Sequence, residues 1–127
     1  MNITTFNPQI VTKDPEPVIK LFEELGFERR HKKEGIGKLD ITAYRMMDEN
    51  GFYIDISQAN VGQPQDVITI RMNVDDYDAA YQLLVSHGFR NEFGDRVAET
   101  ETSRNAVMSS PSGLKITLIQ HIKKGKE

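Results

Sequence analysis

The side chains in this sequence that could hold a metal or drive acid–base chemistry are few and scattered. Three histidines stand at positions 31, 87 and 121, with no ligand motif between them. His87 directly precedes Gly88 at the end of a helical pattern, where a cation complements the helix dipole. His31 sits in a strand rich in charge, and His121 at the fraying end of the last strand. All three fit surface residues better than ligands. There is no cysteine, which excludes thiol catalysis, thiolate-bound zinc and disulfides. Neither a Ser-His-Asp arrangement nor a Gly-rich phosphate loop is supported, because the glycines fall at turns and helix ends. What remains is Asp55 in GFYIDI and Arg71 in VITIRMNV, two charges on otherwise apolar strands. An arginine on a central strand needs an anion, either Asp55 or a carboxylate or phosphate of a ligand. The sequence contains both members of the first pairing, so an internal Arg71–Asp55 pair is the preferred expectation.

The elements that position these residues come from an internal duplication. KDPEPVIKLFEELGFE at 13–28 lies over DDYDAAYQLLVSHGFR at 75–90, a shift of 62 residues that matches Asp14 to Asp76, Leu21 to Leu83, Gly26 to Gly88 and Phe27 to Phe89. The same shift sets Met46 on Met108, Gly51 on Gly113, Ile54 on Ile116 and Ile56 on Leu118. A shared offset across two distant blocks is what chance does not supply. In each copy an aspartate caps a helix, with Pro15 at the first helical position of the first copy. Val18, Leu21, Phe22 and Leu25 mark the buried helical face in one copy. Tyr77, Ala80, Leu83 and Leu84 mark it in the other. Gly26 and Gly88 end the helices in the left-handed region.

Strands are expected at 6–12, 27–34, 38–47 and 51–58, then at 67–74, 88–98, 101–110 and 113–121, with Asn50-Gly51 and Ser112-Gly113 closing the last hairpin of each copy. The chain is therefore α+β, two tandem βαβββ modules in a single domain. Module 1 covers about residues 1–58, ANVGQPQD at 59–66 is the linker, and module 2 covers about 67–121.

Composition sets outer bounds. The 127 residues suffice for one domain with a real core, at 38% hydrophobic and 28% charged. Nineteen acidic against sixteen basic residues give a net charge of −3, which argues against nucleic acid as a partner. The basic run Lys123-Lys124-Gly125-Lys126 fits a solvated terminus. No apolar run reaches membrane-spanning length and no secretory signal pattern opens the chain, so a soluble cytoplasmic protein without membrane partners is expected.

Paired βαβββ modules with an Asp-capped helix ending in Gly-Phe, and a last strand opened by Gly, resemble the vicinal oxygen chelate superfamily of glyoxalase I, bleomycin- and fosfomycin-resistance proteins and extradiol dioxygenases. The stretch VDDYDAA…HGF at 74–89, followed by SPSGLKI at 110–116, carries the likeness most clearly. The resemblance covers nearly the whole chain. It implies a cupped mixed sheet with the helices outside, a cleft between the modules, and homodimerisation.

In catalytic members four cleft-facing side chains bind a divalent metal that polarises a chelating substrate. They lie seven residues before each helix-capping Asp and after a Gly-x-x-aliphatic turn. Carried over, those positions are Asn7, Asp55, Thr69 and Thr117. Only Asp55 is a good ligand, so no metal site and no cofactor are expected.

Alternation along the strands then fills the cleft: Asn7 and Gln9, Tyr53 and Asp55, Thr69 and Arg71, Lys115 and Thr117. If the closing turns are two-residue hairpins, Tyr44, Met46, Arg104 and Met108 join them; a longer turn reverses that face. A pocket of this kind, with Tyr and Met walls and Arg71 and Asp55 orienting polar groups, favours a metal-independent binding protein for a drug or metabolite. The alternative implied by the resemblance is a glyoxalase-type lyase or isomerase, or a dioxygenase, with a degenerate metal site. No catalytic residue is assigned, and whether the chain is an enzyme is left open.

Overall fold

Each module starts with a strand that feeds a helix with an aspartate at its N-cap position. In the computed structural model, which describes residues 1–33, 42–60, 62–94, 98–99 and 103–121, the first module runs β1 (Ile3–Thr12), α1 (Pro15–Glu24), β2 (Glu28–Lys33), β3 (Thr42–Met47) and β4 (Tyr53–Gln58). The second runs β5 (Val67–Val74), α2 (Tyr77–Ser86), β6 (Arg90–Asn91), β7 (Ala98–Glu99), β8 (Ser103–Ser109) and β9 (Lys115–His121). The expected start of the third strand at 38–41 and the basic tail lie outside the described residues, as does the His31 side chain. The strand expected at 88–98 is instead two short pieces, β6 and β7, both antiparallel to β8.

Two compact units result, residues 7–69 and residues 70 onward together with 1–6. The first six residues thus join the second module. Asn2 explains this locally: its backbone N–H and its side-chain amide both donate to the Asp75 carboxylate, at 2.7 and 3.1 Å. Within the first unit the strand order is β2-β3-β4-β1, with β1 parallel to β4 and the other pairs antiparallel. Within the second it is β6-β8-β9-β5, with β5 parallel to β9. The parallel pair in each unit is what a strand–helix crossover produces; the antiparallel pairs are what tight turns produce.

The helix ends follow the sequence closely. Gly26 and Gly88 have φ of +106° and +91°. Phe27 N–H donates to Phe22 C=O and Gly26 N–H to Glu23 C=O, and Phe89 and Gly88 repeat both bonds to Leu84 and Val85. This is a full Schellman closure, and Phe22 meets Phe27 edge-on at 5.5 Å as its apolar clasp. At the helix starts the two copies differ. The Asp76 carboxylate accepts from Ala79 N–H, whereas the Asp14 side chain makes no capping bond. Thr12 Oγ1 instead accepts from Asp14 N–H, and Pro15 removes one of the N–H groups that would need a cap.

The buried face of α1 is rotated from the expected one, whereas α2 buries Tyr77 and Ala80 and packs Leu84 as expected, with Leu83 exposed. Pro15 and Ile19 are buried in α1, while Leu21, Leu25 and Leu83 are about half or more exposed. Ile19 packs with Tyr44, Met46, Ile54 and Ile56 in the first module. Tyr77 and Ala80 pack with Met72, Val74, Ala106, Met108 and Leu118 in the second. Each fully buried aliphatic side chain contributes about 1.5–3 kcal/mol, so these two clusters hold the helices to their sheets. Among the described residues no helix is long and apolar enough to cross a membrane.

Candidate functional site

The closing hairpins decide which side chains share a face. Asp48 N–H donates to Phe52 C=O, and Ser110 N–H donates to Leu114 C=O. Each turn therefore encloses three residues, 49–51 and 111–113, with Gly51 and Gly113 at positive φ. The Asp48 carboxylate accepts from Asn50 and Phe52 N–H, and Ser110 Oγ accepts from Leu114 N–H. The duplicated turn sets the same register twice: Tyr44 opposite Ile56, Met46 opposite Ile54, Met108 opposite Ile116.

One extra residue in the turn moves every side chain of the preceding strand to the other face. Four expected cleft residues are accordingly corrected. Tyr44 and Met46 lie in the core under α1, and Met108 lies in the core under α2. Arg104 also turns to the helix side, where its guanidinium stacks 4.4 Å from the Tyr77 ring and pairs with Asp78.

The register that buries Tyr44 and Met46 brings Arg45 to the opposite face of the first module's sheet, directly beside Asp55. That face carries a polar strip built from β1, β3 and β4. Asp55 is only 2% exposed, and its carboxylate is held from two sides. Asn7 Nδ2 donates to Oδ2 at 2.6 Å, and Arg45 Nη1 donates to Oδ2 and Oδ1 at 2.9 and 3.2 Å. The Arg45 guanidinium lies 4.0 Å from the centre of the Tyr53 ring, which fixes its plane. Alongside runs a second chain of bonds: Thr69 Oγ1 donates to Gln9 Oε1, and Gln9 Nε2 donates to Ser57 Oγ. The structure thus brings together Asn7, Gln9, Tyr53, Asp55 and Thr69 of the sequence-derived set, with Arg45 the added member.

In the second module Arg71 is the registered neighbour of Thr117 and donates from Nε to Asn73 Oδ1 at 3.1 Å. Lys115 forms an ion pair with Glu92 and a hydrogen bond with Ser109. Burial pushes the Glu92 carboxyl up, but the bonds from Lys115 and Ser109 outweigh it and hold the group below its ordinary value. His87 is exposed at the end of α2, and His121 is exposed at the end of β9.

The residues at the four resemblance positions do not suit a divalent cation. The Asp55 oxygens face a guanidinium and an amide N–H, the Asn7 amide nitrogen points at Asp55, and the Thr69 hydroxyl donates to Gln9. A metal at Asp55 would have to displace a charged hydrogen-bond donor. Among the described residues no three of His, Cys, Asp and Glu converge.

Against this geometry the comparisons with known proteins are consistent. No family model matches the sequence, and no curated protein matches it either. Solved structures match along the whole chain. A glyoxalase/bleomycin resistance protein/dioxygenase superfamily member from Vibrio splendidus is 13% identical, covers 94% of this chain and 99% of its own, and gives a TM-score of 0.60. Methylmalonyl-CoA epimerase from Mycobacterium tuberculosis is 18% identical over 96% of this chain and 91% of its own, at 0.67. A hypothetical protein from Bacillus halodurans covers all of both chains at 10% identity and 0.69. The chain has the α+β fold of these proteins, two βαβββ-like repeats in mixed sheets.

Proposed function

We propose that this chain is a glyoxalase/bleomycin-resistance-like protein that binds a small drug or metabolite without a metal. The observation that carries the reading is the pairing of Asp55 with Arg45 and Asn7. The one carboxylate at the resemblance positions is already neutralised by an internal cation, which suits recognition by fixed hydrogen-bonding groups. The buried polar strip of Asn7, Asp55, Ser57 and Thr69, flanked by Gln9, Arg45 and Tyr53, supplies donors and acceptors in fixed geometry. Arg71, Lys115 and Thr117 of the second module belong to the same proposal as polar residues of its cleft-facing strands. Methylmalonyl-CoA epimerase on the same fold raises the enzyme reading, but fold alone confers no activity.

The test is a thermal-shift screen against planar antibiotics and small carboxylates, with metal titration in parallel. A ligand that binds only the folded state raises the melting temperature by mass action. Stabilisation by an organic ligand with no metal requirement supports the reading. Stoichiometric nickel, zinc or iron binding abolished by Asp55→Ala overturns it.

A further inference from the structure

The sequence contains a single Asn-Gly step, Asn50-Gly51, and the fold sets it at the exposed tip of the turn that closes β3 onto β4. At such a step the glycine nitrogen can attack the asparagine side-chain amide, because the glycine carries no side chain to obstruct it. Around Gly51 the space is open: a Cβ built there would meet nothing within 4 Å.

The same turn restrains that nitrogen. Gly51 N–H donates to Asp48 C=O at 3.1 Å, which ties the nucleophile to the start of the turn. On either side of it, Asn50 N–H and Phe52 N–H donate to one oxygen of the Asp48 carboxylate, Oδ1, at 3.0 and 2.8 Å. Bonds to an ionised acceptor are roughly twice as strong as neutral ones. Attack therefore requires the turn to open first, and its rate follows the fraction of open molecules.

The second copy supplies the contrast. Its turn has Ser110 where the first has Asp48 and Ser112 where the first has Asn50, and Ser110 Oγ accepts from Leu114 N–H. That turn keeps a restraint and lacks the amide. The reactive pair stands in the module whose turn sets Arg45 opposite Asp55.

We infer that Asn50 is a site of spontaneous deamidation, restrained by Asp48, whose conversion loosens the turn that registers β3 with β4. The Gly51 nitrogen gives up its proton to hydroxide and bonds to Asn50 Cγ, and the Cγ–Nδ2 bond breaks to release ammonia. Water then opens the cyclic imide. Addition at Cγ leaves an aspartate on an unchanged main chain. Addition at the main-chain carbonyl leaves an isoaspartate, with the chain running through Cβ and Cγ. The isoaspartate lengthens by one atom a turn whose length fixes the register. Either product sets a further carboxylate beside Asp48 and Glu49, where like charges repel.

Incubating the full chain at mildly alkaline pH and mapping its peptides by mass spectrometry tests this. Native protein should convert at Asn50 more slowly than the same chain unfolded in urea. Asp48→Ala should convert roughly tenfold faster than wild type, because two side-chain hydrogen bonds are lost. Asp48→Ser, which copies the second turn, should recover part of the protection, and Asn50→Ser should stop the reaction while keeping the fold. Converted protein, separated by ion exchange, should melt below unconverted protein. Equal rates in the native and unfolded chain overturn the restraint without relying on any variant's fold, and so does a folded Asp48→Ala that reacts at the wild-type rate. Native protein with no acid at Asn50 once the unfolded chain has fully converted overturns the site itself. An unchanged melting temperature after conversion overturns the link to the turn.

Discussion

At the scale of single residues, the chemistry turns on Asp55 and the partners it keeps. Its isolation among apolar strand residues was legible in the sequence, but its arginine was assigned to Arg71, and the structure adds Arg45. The signal for Arg45 was present: Asp48 and Ser110, each three residues before a glycine, both accept from the N–H of the residue after that glycine. A side-chain acceptor repeated at the shift of 62 residues points to a three-residue turn, and that turn places Arg45 beside Asp55. The Arg45–Asp55 pair is largely buried, so a double-mutant cycle of Arg45→Leu with Asp55→Leu should give a coupling of about 2 kcal/mol by denaturant unfolding. Strict additivity of the single variants would show that the two side chains act independently. Glu92 offers a pH test in the second module. Its folded pKa is lowered, so its contribution is present above the ordinary glutamate range and is lost as pH falls through the folded value. Glu92→Gln should therefore flatten the acid limb of the stability curve between neutral pH and pH about 3. An unchanged acid limb would remove that linkage.

At the scale of elements, the helix ends and the Asp76 cap were read correctly because their rules are local, whereas Asp14 occupies the cap position without a capping bond. A glycine followed by phenylalanine closes both helices by the same hydrogen bonds. Burial on the helix was less legible. Leu21 and Leu25 satisfy the helical spacing, yet the packed residues are Val18, Ile19 and Phe22, a face rotated by part of a turn. Helical periodicity in a helix with apolar residues at 18, 19, 21, 22 and 25 admits either face, and only the angle at which α1 crosses its sheet selects one. Ile19→Ala should cost about 2–5 kcal/mol in chemical denaturation, while Leu21→Ser, at an exposed position, should change stability by about 0.5 kcal/mol or less. The reverse order would contradict the face described. The strand faces failed for a related reason. Alternation fixes which residues go together but not which side they take, and a single residue of turn length decides that.

At the scale of the whole molecule, the duplication made the architecture legible with no close relative, and structures 10–18% identical share it along the full chain. The two copies agree in helix closures, turns and core. They part on the sheet face away from the helices. There the first module sets Arg45 against Asp55, and the positions related to them by the duplication hold Val107 and Thr117. Duplicated scaffolding with unlike polar faces is what a site built from one copy requires, because packing constrains the scaffold and leaves the other face free to differ. What the sequence could not disclose is the partner that Asp55 takes in its own sheet, since that pairing exists only once the strands are registered. The central claim is that recognition here proceeds without a metal. A ligand screen by thermal shift, run in excess EDTA and again with added nickel, zinc or iron, tests it most directly. The account predicts a stabilising organic ligand whose shift is undiminished by EDTA. A shift that disappears in EDTA and returns with one equivalent of metal would contradict it.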